Sequence, residues 1–188
     1  MKLRTLIPFF CLVILLNACV NSPDRDTEIN LISEAESALY KDTMAFYLDM
    51  EVARNIINKY VAFADQFPDD TMSAEYLFKA GEVCRAMNLG EESIRYYERV
   101  YSDFPAFEKA PYCLFLKAFV YENIVMDMMK AKEFYTLFIE EFPEHEFADD
   151  ARALIKNLGK TPEELIRSFE EQNRLNQDSL ATDSFPIQ

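Results

Sequence analysis

His145, the single histidine of the chain, lies among carboxylates, so the sequence comes nearest to offering metal or acid–base chemistry here. An imidazole beside carboxylates could bind a divalent metal or act as a general base. The acidic neighbours are Glu141, Glu144, Glu146, Asp149 and Asp150. A single imidazole lacks the partner ligands of a metal site, and carboxylates at such a turn favour the start of the next helix. No P-loop, catalytic triad or paired-cysteine motif occurs, so we expect no enzymatic activity, no metal and no cofactor.

The thiol of Cys19 is a second group with possible chemistry, because it follows a charged start and an apolar run. Lys2 and Arg4 precede LIPFFCLVILL, which is too short to span a membrane stably. The run ends in LNAC, residues 16–19, which resembles the bacterial lipobox. The resemblance implies that residues 1–18 are a lipoprotein signal peptide and that Cys19 carries acyl chains. An ordinary cleaved signal peptide and an uncleaved anchor helix are the alternatives.

Composition limits the class of protein and of partner. The chain has 188 residues, half of them hydrophobic, and only three glycines, which suits an all-α fold. The formal net charge is −14, and no basic stripe offsets it. Such a chain repels phosphates, so we expect no nucleic-acid partner.

Periodicity divides the chain into successive segments. Residues 19–30 are polar and acidic and predict a flexible linker. Helical periodicity dominates residues 31–158, the predicted repeat domain. Residues 159–174 predict a capping helix, which Thr161, Pro162 and Glu164 open with a capping box. Residues 175–188 predict a disordered tail.

Three predicted helices end with the same two letters. The pairs are Phe67-Pro68, Phe104-Pro105 and Phe142-Pro143, and the prolines are 37 and 38 residues apart. Proline cannot continue a helix and pushes the preceding residue out of the α region, so each pair marks a boundary. A period of this length is typical of stacked helical repeats.

Small and aromatic residues recur at fixed distances before these prolines and resemble the pattern of tetratricopeptide repeats. The matching positions are Gly81, Tyr97 and Pro105 in one repeat, and Ala118, Ala131, Tyr135 and Pro143 in the next. The resemblance implies a right-handed superhelix of antiparallel helix pairs, about three repeats with a C-terminal capping helix. It also implies that Gly81 lets the two helices of its pair approach closely.

Long repeats ending in Phe-Pro on an acidic lipoprotein resemble a narrower group, the outer-membrane repeat lipoproteins related to BamD and to the repeat domain of YbgF. The resemblance implies a chain anchored in the outer membrane of a Gram-negative-type bacterium, facing the periplasm. Such solenoids present a groove to another protein. The implied function is a cell-envelope adaptor for protein–protein interaction, possible roles being outer-membrane protein assembly or envelope maintenance. The alternative is a lipoprotein that binds a nutrient or a glycan.

The same resemblance places the binding groove on the first helix of each pair. The implied lining residues are Glu75, Phe78, Glu82 and Arg85 from one repeat, and Cys113, Leu116, Val120 and Asn123 from the next. We expect Phe78, Leu116 and Val120 on one concave face, with charged residues at the rim. An apolar groove favours a partner segment. Alternatively, Leu165, Ile166 and Phe169 of the last helix cover it.

Three smaller features complete the predictions. The cluster Met126–Met129 is either an adaptable recognition surface or an interhelical filler. Gly90, after Asn88-Leu89, is expected at a helix C′ position. Cys84 and Cys113 are expected to remain free thiols, because their helix register holds them too far apart for a disulfide.

Overall fold

The computed structural model describes residues 24–40 and 49–183, and this part of the chain is all-α, without strands. The helices are α1 (Arg25–Tyr40), α2 (Met50–Gln66), α3 (Thr71–Ala86), α4 (Gly90–Asp103), α5 (Ala110–Val120), α6 (Met128–Glu141), α7 (Ala148–Asn157) and α8 (Pro162–Asp183). A π turn, Tyr121–Val125, continues α5. The predicted signal peptide, the predicted lipidation site Cys19 and residues 184–188 lie outside the described residues.

The chain divides into two compact units, with the boundary between Ser73 and Ala74 inside α3. In the first unit α1 packs against α2. Ile32 of α1 and Ile56 of α2 are both buried, as expected for two helices with apolar faces. Asp49 caps α2 by accepting the backbone N–H groups of the second and third helical residues, Glu51 and Val52.

The three Phe-Pro pairs form corners with the same backbone hydrogen bonds. Phe67, Phe104 and Phe142 follow the last residues of α2, α4 and α6, and each donates its N–H to the carbonyl four residues earlier. Each phenylalanine carbonyl then accepts the N–H of the residue three positions later. The corner is a local backbone structure set by proline, and the predicted helix boundaries are confirmed.

Consecutive helices of the second unit pack as antiparallel neighbours. Where α3 meets α4, the Ser93 hydroxyl donates to the Gly81 carbonyl at 2.9 Å, while Tyr97 lies beside Phe78, so residue numbers run in opposite directions. The third pair, α5 and α6, behaves in the same way, with ring contacts Tyr121–Phe134 and Phe115–Phe138. α4 also packs against α5, and α6 against α7.

Gly81 lies at a close contact between α3 and α4. A Cβ atom at this position would lie 2.5 Å from Cε1 of Tyr97, inside van der Waals contact. The structure therefore places the glycine where a side chain cannot fit without displacing a buried ring. Four further predicted repeat positions have no exposed surface, namely Tyr97, Ala118, Ala131 and Tyr135.

A tyrosine–glutamate hydrogen bond recurs in all three helix pairs. Each tyrosine lies eight residues before a corner proline and donates its hydroxyl to a carboxylate on the preceding helix. The pairs are Tyr60–Glu36, Tyr97–Glu82 and Tyr135–Glu122. Burial of such a large polar side chain needs a partner for the hydroxyl, and the carboxylate supplies it. The repeat pattern predicted Tyr97 and Tyr135 as repeat positions but did not predict their carboxylate partners.

The turns inside the second and third pairs differ by one residue. Asn88 and Met126 both adopt the left-handed conformation, with φ of 60° and 61°, and both lie 17 residues before a corner proline. Asn88 lies 20 residues after Pro68, whereas Met126 lies 21 residues after Pro105. A π turn closes i→i+5 hydrogen bonds and so holds one residue more than an α turn. The extra residue of the 38-residue interval is thus accommodated in Tyr121–Val125.

Two local predictions about turns have opposite outcomes. Gly90 is not at a helix C′ position, because Asn88 holds the left-handed conformation and Gly90 begins α4. Its missing side chain serves a close approach instead, since a Cβ atom there would lie 2.9 Å from Cγ2 of Ile124. The capping box of α8 is confirmed: Thr161 N–H donates to Glu164 at 2.9 Å, and Glu164 N–H donates back at 3.3 Å.

The first and last helices are longer than predicted. α1 begins at Arg25, inside the segment predicted as linker, and α8 continues to Asp183, inside the segment predicted as disordered tail. Both extensions are polar, so apolar periodicity did not predict them. Asp24 explains the first, because its carboxylate accepts the N–H and the hydroxyl of Thr27 and so caps the new turn. Cys84 and Cys113 are buried free thiols.

Candidate functional site

An aromatic row crosses the second unit from α3 to the start of α7. The ring of Phe78 lies 6.4 Å from that of Tyr112, and the ring of Tyr112 lies 4.8 Å from that of Phe147. All three rings are partly exposed. Phe115 lies behind them, only 7% exposed, with its ring 5.9 Å from Tyr112 and 5.3 Å from Phe147. Such offset ring contacts stabilise a fixed arrangement of the row.

The row exists because the first helices of successive pairs lie side by side in the same direction. Phe78 contacts Tyr112, and Glu75 contacts Lys109. Both contacts join residues 34 positions apart, and a constant separation means that α3 and α5 run parallel. Phe147 is the N-cap residue of α7, so the third corner delivers it to the same surface.

A groove of about 430 Å³ lies on this surface. Its lining residues are Phe78, Glu108, Lys109, Tyr112, His145, Glu146 and Phe147. The partly exposed rings supply the apolar part of the lining, and the carboxylates of Glu108 and Glu146 are exposed beside them. A concave site with an aromatic lining and a few polar groups is the usual form of a ligand site.

The cationic side chains near the groove are already paired with carboxylates. Lys109 Nζ lies 3.0 Å from Glu75 Oε2 and 4.8 Å from the centre of the Phe78 ring. Arg85 donates from Nη2 to Glu82 at 2.8 Å and from Nε at 3.2 Å. This hydrogen-bonded contact with Glu82 raises the pKa of the Arg85 guanidinium.

The carboxylate of Glu82 affects the pKa values of two tyrosines, Tyr112 in the aromatic row and Tyr97 beside it. Burial, followed by the charge of Glu82, raises the pKa of Tyr112 above its ordinary value. Burial and the same carboxylate raise the pKa of Tyr97, which donates its hydroxyl to Glu82. Both hydroxyls therefore stay protonated throughout the physiological range and present neutral donors.

Of the four predicted groove residues of α3, Phe78 lines the groove, whereas Glu75, Glu82 and Arg85 lie outside its lining. Glu75 and Phe78 touch residues that line the groove, and the Glu82–Arg85 pair acts on the adjacent Tyr112. The groove residues predicted from the next repeat do not line the groove. Leu116 is 4% exposed and Val120 and Cys113 are 0% exposed, so these three residues belong to the core, and their prediction as groove lining is wrong. Asn123 is exposed and donates its amide to the Phe119 carbonyl at 3.0 Å, outside the groove lining.

The π turn is the physical reason for this error. The α5 positions were obtained by counting back from Pro143, and that count crosses the extra residue in Tyr121–Val125. Counting forward from Pro105, which does not cross it, moves each position back by one residue and gives Tyr112, which lines the groove, and Phe115, which lies buried behind it. The unequal intervals of 37 and 38 residues were the signal that could have identified the correct register.

His145 has a local structural contact. Its Nδ1 accepts the Phe147 N–H at 3.2 Å, and its ring lies against Phe138 and Phe147 at 5.2 and 5.7 Å. Within residues 24–40 and 49–183, no cluster of three histidine, cysteine or carboxylate side chains has the arrangement of a metal site. The histidine shapes the third corner and one end of the groove.

The exposed fractions of apolar side chains decide two further alternatives, whether α8 covers the groove and whether the Met126–Met129 cluster fills space between helices. Ile166 and Phe169 of α8 are 59% and 56% exposed, so they do not cover the groove. Met126 and Met129 are 66% and 85% exposed, so the interpretation of these two as interhelical filler is wrong. None of the helices in the described part of the chain has the length and apolar character needed to cross a bilayer.

No protein-family model matches the chain, and no curated protein matches it.

Proposed function

We propose that this chain is a lipid-anchored adaptor of the cell envelope, which holds a segment of a partner protein in the groove between α3, α5 and the start of α7. The observation that carries the proposal is the row of three partly exposed aromatic rings in an open groove. Exposed aromatic groups that line a concavity are the usual anchors of protein recognition.

The arrangement of helices supports a repeat protein of the tetratricopeptide type. Antiparallel pairs, identical Phe-Pro corners and the recurrent tyrosine–glutamate bond all favour units that repeat along the chain. In our proposal the pairs stack into a right-handed superhelix, which α8 closes. A repeat stack presents its first helices side by side, and the row crosses such helices.

The sequence supports the anchor and the location. A positively charged start, an apolar run and LNAC precede the fold, and we propose that Cys19 carries the lipid in the outer membrane, with the domain facing the periplasm. Removal of residues 1–18 would leave an even more acidic chain. The proposal includes no nucleic-acid partner, no cofactor and no catalytic role.

The aromatic row also favours a second candidate, a lipoprotein that binds a glycan or another nutrient. Sugar rings pack on partly exposed aromatic faces, and Tyr112 and Phe147 are stacked within 24° of coplanarity. Both rings are only partly exposed, and the groove continues beyond them to Phe78 and Lys109, which suits an extended protein segment better than a single sugar ring. We therefore place the protein partner first.

Photo-crosslinking in envelope membranes tests the proposal. A photoreactive phenylalanine analogue replaces Tyr112 in the lipidated full chain, and the same analogue at Lys132, exposed on α6, is the control. We expect one discrete protein adduct from position 112 and none from position 132. Phe78→Ala should reduce the adduct at least tenfold without loss of helical circular dichroism, because the anchor ring is lost.

Two outcomes would contradict the adaptor. Equal adducts from both positions would mean unspecific contact, and an adduct with the mass of a carbohydrate would favour the second candidate. Cys19→Ala tests the anchor separately: the variant should leave the membrane fraction. A full-length variant that stays membrane-bound would show that the apolar N-terminal run is itself the anchor.

A further inference from the structure

We propose that the groove selects a basic segment of its partner, in which an arginine or lysine stands beside an apolar side chain. This inference rests on the proposed adaptor function and adds the chemistry of the ligand. It starts from the two carboxylates that line the groove, Glu108 and Glu146.

Glu108 and Glu146 occupy equivalent positions in the two corners that border the groove. Each lies three residues after a corner proline, Pro105 or Pro143, and each side chain is exposed. Neither carboxylate has an ion-pair or hydrogen-bond partner among the described residues. They are therefore two negative charges at the edge of an apolar lining, available to a ligand.

The nearby positive charges cannot neutralise these carboxylates, because each is already engaged. Lys109 pairs with Glu75, and Arg85 pairs with Glu82 through two hydrogen bonds. The groove is thus left with an excess of negative charge, on a chain whose formal net charge is −14. Complementary charge favours a basic partner and repels an acidic one.

The aromatic lining suits the same ligand. A guanidinium or ammonium group is attracted to the face of an aromatic ring. The groove already holds one such contact, Lys109 over Phe78, so the rings accept cations in this environment. An arginine over the Tyr112–Phe147 stack could reach a carboxylate at the groove edge, while an adjacent apolar side chain would fill the remaining lining.

The experiment uses the lipidated full chain in neutral detergent and three fluorescent octapeptides that alternate leucine with arginine, glutamine or glutamate. Fluorescence anisotropy measures binding at two salt concentrations. We expect the arginine peptide to bind at least tenfold more tightly than the glutamine peptide, and the glutamate peptide to bind most weakly. The preference should shrink at high salt, because exposed charges are screened.

Two matched double variants distinguish binding at the groove carboxylates from attraction to the net negative charge of the whole chain. Glu108→Gln with Glu146→Gln should weaken binding of the arginine peptide about tenfold, since two exposed ion pairs are lost. Glu133→Gln with Glu140→Gln changes the net charge equally on exposed positions of α6 outside the groove lining, and should change binding less than twofold.

Several results would overturn the inference. Equal losses in the two double variants would show attraction to the whole chain, and equal binding of the three peptides would show a groove without charge preference. Failure of all three peptides to bind would likewise exclude it. None of these results removes the adaptor itself, because the discrete adduct from position 112 tests that function independently of ligand charge.

Discussion

The second and third helix pairs have the same plan and differ by one residue. Both end in the same Phe-Pro corner, and both join their helices by a tyrosine–glutamate hydrogen bond. The second pair passes from α3 to α4 through Asn88, whereas the third inserts a π turn and passes through Met126. The glycine at the helix contact, Gly81, also belongs to the second pair alone.

The difference shows where a helix pair of this chain accommodates an additional residue. The corners and second helices keep their spacing, and the extra residue is confined to the end of the first helix. Residues before the π turn therefore keep the register of the preceding corner, which places Tyr112 in the groove lining, Phe115 behind it, and Cys113 in the core. A shift of one position on a helix rotates a side chain by about 100°, enough to exchange core and surface.

The substitution with the largest expected effect tests the close contact of Gly81 with Tyr97, which only the second pair has. Gly81→Leu places a side chain against the buried ring of Tyr97, and we expect a loss of about 1–3 kcal/mol in the free energy of unfolding. Urea denaturation followed by circular dichroism measures it. Ala86→Leu, at an exposed position of the same helix, is the control and should change stability by less than about 0.5 kcal/mol.

A neutral result for Gly81→Leu would mean that α3 and α4 separate without cost. The second pair would then resemble the third, which has no glycine, and close approach would not distinguish the two pairs.

The sequence predicted the features of this molecule that depend on local chemistry. Proline fixed the three helix ends, and Thr161 with Glu164 formed the expected capping box. The groove positions on α5 could not be obtained in the same way. They depend on where the extra residue is accommodated, and at Tyr121–Val125 the π turn places Ile124 and Val125 against Gly90, a contact between helices that the local sequence does not reveal.

The hydrogen-bond and ion-pair partners that side chains find on neighbouring helices could also not be predicted from the sequence alone. The spacing predicted Tyr97 and Tyr135 as repeat positions, but which of many glutamates would accept their hydroxyls depends on helix rotation. The chain has 33 acidic residues, so composition gave no preference. The pairing of Lys109 with Glu75, which leaves Glu108 free, is likewise a property of the parallel contact between α3 and α5.

The second prediction concerns what the two pairs share. Burial first, and then a carboxylate, raise the pKa values of Tyr97 and Tyr135 above 10, the value expected in the unfolded chain. Above pH 10 the unfolded state loses these protons while the folded state keeps them. Each tyrosine's contribution is thus fully present below pH 10, and above it the free energy of unfolding should fall by about 1.4 kcal/mol per pH unit for each tyrosine.

Urea denaturation at pH 8 and pH 11 checks this prediction in matched variants. Tyr97→Phe and Tyr135→Phe should each be less stable than the parent at pH 8, because a hydrogen bond to a carboxylate is lost. At pH 11 that deficit should shrink or reverse. If only one variant shows the change, the tyrosine–glutamate bond is not equivalent in the two pairs.

The smallest expected effect comes from exchanging the residues at the two left-handed turns, Asn88 and Met126. Methionine adopts this conformation at a cost, whereas asparagine adopts it more readily, and Met126 is 66% exposed, so little packing is lost on replacement. Met126→Asn should raise the free energy of unfolding by about 0.5–1 kcal/mol, and Asn88→Met should lower it by a similar amount. The urea midpoint at constant slope measures both changes. Opposite signs of similar size would show that the two turns are equivalent despite the insertion. A loss of stability in Met126→Asn would instead mean that the methionine side chain makes a stabilising contact, and that the third pair's turn is not simply the second pair's turn one residue later.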